Sequence, residues 1–125
     1  MFRKIYIFLR ISVYKLLTAT DVIDLNKEFH NGKLVNQASL EFAISCQYKT
    51  KNWLEQLSYI IRSLLIDHVF EDANKRTAVA VILAYFKGHE LNYDPYRLDD
   101  LVILITKKNI NDIKKLGRLI KNVIR

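Results

Sequence analysis

The sequence is poor in cysteine and in acidic residues, and it has no long apolar run. Cys46 is the only cysteine, which excludes an internal disulfide and fits a reducing compartment. It lies in an apolar pattern and reads as a small core residue rather than a nucleophile. The apolar run Ile5-Tyr6-Ile7-Phe8-Leu9 is cut by Arg10; it is too short for a membrane span and shorter than a secretory h-region. The longer run from Thr77 to Phe86 is also too short to cross a bilayer. A cytoplasmic protein with no membrane association is expected. There is no internal repeat, low-complexity run or linker, and 125 residues are the size of one domain. With 13 acidic residues against 20 Lys and Arg, the formal charge is +7. That balance suggests nucleic acid, an acidic protein segment or a nucleotide as partner; it also suits a solvated lysine-rich surface with none. Charge does not choose among these.

Half of the residues are hydrophobic, enough for a packed domain rather than a disordered chain. Residues 5 to 13 put Ile5, Ile7, Leu9, Ile11 and Val13 on one parity, which favours a strand, although Tyr6 and Phe8 make the other face apolar too. This stretch, within an N-terminal extension of residues 1–16, reads as an edge strand, a helix extension or an interface. Thr18 and Asp21 form a capping signature for a helix ending near Asn31-Gly32, with His30 in its last turn, where the dipole favours a histidine. Lys33 to Asn36 make a short connection. A second helix runs from about Gln37 to Gln47. A third carries Trp53, Leu54, Leu57, Ile60, Ile61, Leu64 and Leu65 at three- and four-residue steps, with Glu55, Gln56, Ser58, Arg62 and Ser63 opposite. The run from Thr77 to Phe86 is apolar on every side, as in a helix enclosed by others, and Gly88 stands where a left-handed cap is expected. His89 reads as a surface loop residue. A fifth helix starts after Pro95, and a sixth, from about Asn111, shows a basic face of Lys114, Lys115, Arg118, Lys121 and Arg125. That face reads as solvated surface, with nucleic acid or an acidic peptide as the sharper alternatives.

Between the third helix and the enclosed one lies His68-Val69-Phe70-Glu71-Asp72-Ala73-Asn74-Lys75-Arg76, which holds the parts of a phosphate site. Asp72 can give a divalent cation a hard oxygen ligand. Asn74, Lys75, Arg76 and the unpaired N–H groups of a helix N-terminus can donate to phosphate oxygens. His68 can take a proton from a hydroxyl nucleophile. Phe70 has no polar chemistry and suits an anchor in the core.

The segment resembles the Fic motif: His, any, Phe, any, Asp or Glu, Gly or Ala, Asn, Gly or Lys, Arg. All constrained positions match, and Ala73-Asn74-Lys75-Arg76-Thr77-Ala78 looks most like the Doc (death-on-curing) toxins. The resemblance covers residues 17–125 and implies an all-α, single-domain bundle of about six helices around a buried central helix, with at most one short β element. It places a target-binding flap at Lys33 to Asn36. It implies His68 as catalytic base, Asp72 as ligand to Mg²⁺, and Ala73, Asn74, Lys75 and Arg76 around the phosphates of ATP.

In Fic adenylyltransferases a glycine at the position of Lys75 leaves room for a second phosphate subsite, and an arginine at the position of Val79 helps to hold it. Lysine there is the Doc pattern, which implies γ-phosphoryl transfer from ATP to a threonine of elongation factor Tu or its archaeal equivalent, with arrest of translation. The family's self-inhibitory pattern, Ser or Thr, three residues, Glu, then Gly or Asn, is missing, so restraint by an antitoxin in trans is implied, laying a helix across the groove. Glu71 adds an acid beside Asp72, and only the motif register assigns the metal to Asp72. Val69 replaces a proline common in Fic proteins. The alternatives are adenylyl transfer to a protein hydroxyl and, less favoured, a basic helical nucleic-acid binder with a degenerate motif.

Overall fold

A computed structural model describes residues 16–125; the expected strand over residues 5 to 13 lies outside the described residues. Among the described residues there are six α-helices: α1 (Ala19–Lys27), α2 (Gln37–Cys46), α3 (Trp53–Leu65), α4 (Asn74–Gly88), α5 (Pro95–Lys108) and α6 (Ile113–Lys121). A 3₁₀ turn, Gln47–Lys49, extends α2. The chain is an all-α bundle. None of its described helices is long and apolar enough to cross a membrane.

Local signals start nearly every helix. Thr18 and Asp21 close a reciprocal capping box on α1, and Asn52, Asp94 and Asp112 cap α3, α5 and α6 through side-chain oxygens. These bonds satisfy amides that the helix itself leaves unpaired. Packing then supplies most of the stability. Leu57, Ile60, Ile61 and Leu64 of α3 are fully buried, each contributing on the order of 2 kcal/mol, which a short isolated helix lacks. Helix α4 buries Thr77, Ala78, Ala80, Val81, Ile82, Ala84 and Phe86 and lies against α1, α3 and α5. It shares the centre with α3, which also touches α2, α5 and α6.

Three expectations are corrected. Helix α1 ends at Lys27, before His30, because the buried Asn26 draws the following turn inward by accepting the Gly32 N–H at 2.9 Å. Ser58 and Ser63 are buried rather than on the solvent face of α3. Ser58 donates to the Leu54 carbonyl at 2.6 Å, and Ser63 meets the Ser39 hydroxyl at 2.9 Å. Gly88 stays within α4, and the left-handed residue beyond it is Glu90, at φ 54°. His89 lies in the turn after α4 and is exposed, as expected of a surface loop residue, and its ring stacks on Trp53 with centroids 4.7 Å apart.

At the far end of α4 from its first residue, Trp53 also stacks on Tyr85 and meets Phe86 edge-on. The Tyr85 hydroxyl donates to Gln47 Oε1 at 2.9 Å. Burial pushes the titration of that phenol upward. Gln47 is itself buried and also bonds both the N–H and the carbonyl of Leu17.

Candidate active site

The segment from His68 to Ala73 joins the two central helices with an abrupt change of direction. His68 and Ala73 both have positive φ, 51° and 64°. Neither is glycine, so each carries a steric cost of about 1–2 kcal/mol that the surroundings must offset. The offset is visible in the bonding. Asn74 accepts the Phe70 N–H at 3.0 Å and donates to the Phe70 carbonyl at 2.9 Å, pinning the loop to the first residue of α4. Phe70 is 1% exposed and anchors the same loop in the core. From α1, the Asn26 amide donates to the Asp72 carbonyl at 3.0 Å and to Thr77 Oγ1 at 3.1 Å. Thr77 in turn donates to the Ala73 carbonyl at 2.7 Å.

The outer side of the loop is held by the Lys33–Asn36 connection. Leu34 and Phe70 form an isolated antiparallel bridge. The Val35 and Asn36 amides donate to the Val69 carbonyl at 2.8 and 3.1 Å, and the Glu71 amide donates to the Lys33 carbonyl at 3.0 Å. The Glu71 carboxylate closes the same contact. It lies 3.3 Å from His30 Nε2, 3.5 Å from the Asn31 amide and 3.8 Å from Lys33 Nζ. The hydrogen bond from His30, then that from Asn31, then the charge of Lys33 hold this carboxyl below the ordinary glutamate value. His30 is thus a partner of Glu71 and lies beyond the last turn of α1.

A cavity of about 500 Å³ opens beside this loop, within the size range of small-ligand sites. His68, Asp72, Ala73, Asn74, Lys75 and Arg76 all line it, together with Glu71, Leu65 and Thr106. The sequence-predicted site residues therefore surround one space. The N-terminus of α4 faces it with no side-chain cap, leaving backbone N–H groups and the positive end of the helix dipole for an anion. Lys75 and Arg76 are exposed at that end. Arg76 lies 5.8 Å from the Phe29 ring centroid, a cation–π contact. The His68 imidazole is exposed and has no hydrogen bond among the described residues.

Asp72 and Glu71 differ in how their carboxylates are engaged. Glu71 is tied to His30, Asn31 and Lys33, whereas Asp72 accepts only the Ala73 N–H, at 2.7 Å, leaving its second oxygen unpaired among the described residues. No group of three or more His, Cys, Asp or Glu gathers among the described residues to form a metal cage. A single available carboxylate beside an uncapped helix end fits a Mg²⁺ ion shared with phosphate oxygens better than an all-protein metal site. Asn74 contributes less than its residue type suggests. Its side chain is occupied by Phe70, so one amide proton and its backbone N–H remain for a ligand.

Two residues emerge that sequence reasoning missed. Thr106 of α5 reaches the cavity wall although it lies 30 residues after Arg76; nothing local marks it. Asn26 was hidden as a polar residue in an amphipathic helix, yet it is fully buried and holds the motif loop. Comparisons of the chain with protein-family models, with curated proteins and with solved structures find no match.

Proposed function

We propose that this protein is a phosphoryl-transfer enzyme of the Doc type, moving the γ-phosphate of ATP to a hydroxyl of a translation elongation factor in the cytoplasm, with an antitoxin in trans as its restraint. What supports the reading is one observation: His68, Asp72, Lys75 and Arg76 converge on a single cavity at the uncapped N-terminus of α4. It joins a motif whose every constrained position agrees with the Fic pattern.

Each side chain has a task that its geometry permits. The backbone amides at the start of α4, with Lys75 and Arg76, bind phosphate oxygens and stabilise charge as it shifts during transfer. Asp72, with its second oxygen unpaired among the described residues, would hold a Mg²⁺ ion, which would neutralise phosphate charge. Bound MgATP supplies the transferable phosphoryl group. His68, exposed at the cavity edge, takes the proton of the attacking threonine hydroxyl as its oxygen bonds the γ-phosphorus and the bond from that phosphorus to the β–γ bridging oxygen breaks, releasing ADP. Glu71 positions rather than reacts, because its carboxylate fastens the Lys33–Asn36 flap to the loop. Lysine at position 75, where the resembling adenylyltransferases carry a glycine that leaves room for a second phosphate subsite, favours γ-phosphoryl over adenylyl transfer.

The experiment is a two-isotope assay with Mg²⁺ and elongation factor Tu. Label transferred from γ-phosphate and absent from α-phosphate is the expected result. Label from α-phosphate would replace phosphorylation with adenylyl transfer, and label from neither would remove this target.

A further inference from the structure

The flank of α5 turned away from the motif cavity carries a second concave surface. Arg97, Leu101, Leu104 and Lys108 recur at three- and four-residue steps along one stripe of α5, and Leu119, Asn122 and Val123 face them from α6 and the turn after it. Thr106, which lines the motif cavity, is two residues beyond Leu104 and so projects about 200° around the helix from it. The two surfaces are separate. Within the groove Ile103 is 55% exposed and Leu104 38% exposed, more apolar area than a solvated helix needs to present at one place.

The rim is mainly basic. Arg97, Lys107 and Lys108 stand on the α5 side, with Asp100 as the single acid lining the groove. A smaller recess that shares Leu119 and Asn122 continues the surface along α6 and adds Lys115, Arg118 and Lys121. Arg97 spans the groove at one end by donating to the Asn122 carbonyl at 3.1 Å, which fixes the separation of the two walls there.

Charge selects among occupants. The segment 1–15 of this chain carries Arg3, Lys4, Arg10 and Lys15 with no Asp or Glu, so it meets a rim of its own sign. A second copy, at +7, would oppose identical basic rims across a two-fold axis. Nucleic acid would answer the cations but leave Ile103, Leu104 and Leu119 without apolar contact. An amphipathic helix with leucine-type side chains on one face and carboxylates on its flanks satisfies both the floor and the rim.

We propose that the α5–α6 groove docks an acidic amphipathic helix of a partner protein. The site is independent of the motif chemistry and stands or falls without it.

The test uses the full chain, isotope-labelled for NMR, and a fluorescent synthetic helix with Leu at i, i+3, i+4 and i+7 and Glu at most other positions. Amide shifts on α5 and α6, and binding at least ten-fold tighter than that of a scrambled peptide of equal composition, are expected. Leu104→Lys, and separately the pair Lys107→Glu and Lys108→Glu, should each weaken binding at least ten-fold while circular dichroism stays unchanged. The proposal is overturned by absent binding, by equal binding of the scrambled peptide, by shifts confined to the motif cavity, or by indifference to Leu104→Lys. It is also overturned if a 20-base-pair DNA duplex or anionic vesicles bind the same face more tightly.

Discussion

The side-chain amide of Asn26 donates to the backbone carbonyl of Asp72 at 3.0 Å, joining residues 46 apart in sequence. The same side chain reaches Thr77 and Gly32, so one buried residue sets the distance between α1, the motif loop and the start of α4. Asn26→Ala leaves the Asp72 carbonyl and the Gly32 N–H without their partner and is expected to cost about 3 kcal/mol. Urea unfolding of the purified variant measures it. A loss below about 1 kcal/mol would mean that water or a shifted backbone replaces the amide.

His68→Ala should separate chemistry from folding. The imidazole is exposed and makes no hydrogen bond among the described residues, so stability should change by no more than about 0.5 kcal/mol. Transfer of γ-label should fall about 10²- to 10⁴-fold, the usual contribution of a positioned base. Undiminished transfer would take His68 out of the reaction.

The contact between Glu71 and the Lys33–Asn36 connection should loosen in acid. Glu71 titrates below the ordinary glutamate value of 4.5, mainly because His30 hydrogen-bonds its charged form. A carboxyl whose folded pKa is depressed contributes fully above its unfolded pKa and progressively less as pH falls through the folded one. Hydrogen exchange at the Val35, Asn36 and Glu71 amides should therefore accelerate below about pH 4.5, beyond the intrinsic pH trend of exposed amides. Glu71→Gln should remove that step. Exchange rates following only the intrinsic trend in both proteins would contradict it.

Ala73 holds φ 64° and ψ 26° without glycine's freedom. Ala73→Gly relieves the Cβ conflict but gains unfolded-state entropy, for a net stabilisation of about 1 kcal/mol. Ala73→Val, branched at the same position, should destabilise by more than Gly stabilises. Thermal unfolding of the pair gives both signs, and two shifts in the same direction would show that the backbone relaxes out of the left-handed region.

Most of the helix boundaries were legible because their signals are local. Thr18 with Asp21, the apolar steps from Trp53 to Leu65 and the proline at the head of α5 each act within one or two turns. The His68–Arg76 cluster was legible as a candidate for the same reason: its members are close in sequence and stay close in space. What escaped depends on distant partners. Ser58 looks like a surface residue until Gly117 of α6 packs beside it; a Cβ added at Gly117 would meet the Ser58 hydroxyl at 3.6 Å. Asn26, Thr106 and the stacking of His89 on Trp53 are likewise set by tertiary neighbours. Gly88 misled because a glycine near a helix end is only one of the ways to leave a helix, and here Glu90 takes the left-handed turn.

The stack of Trp53, Tyr85 and His89 has a bearing on the cavity it never touches. Helix α4 is 15 residues long, so its two ends are about 20 Å apart. The rings clamp the trailing end against α3, and Asn26 and Asn74 tether the leading end. A rod held at both tips can neither slide along its axis nor roll about it. Aim at the cavity is therefore set partly by aromatic surfaces on the opposite side of the molecule, and wear at those surfaces would blur the pointing of the amides before it melted the bundle.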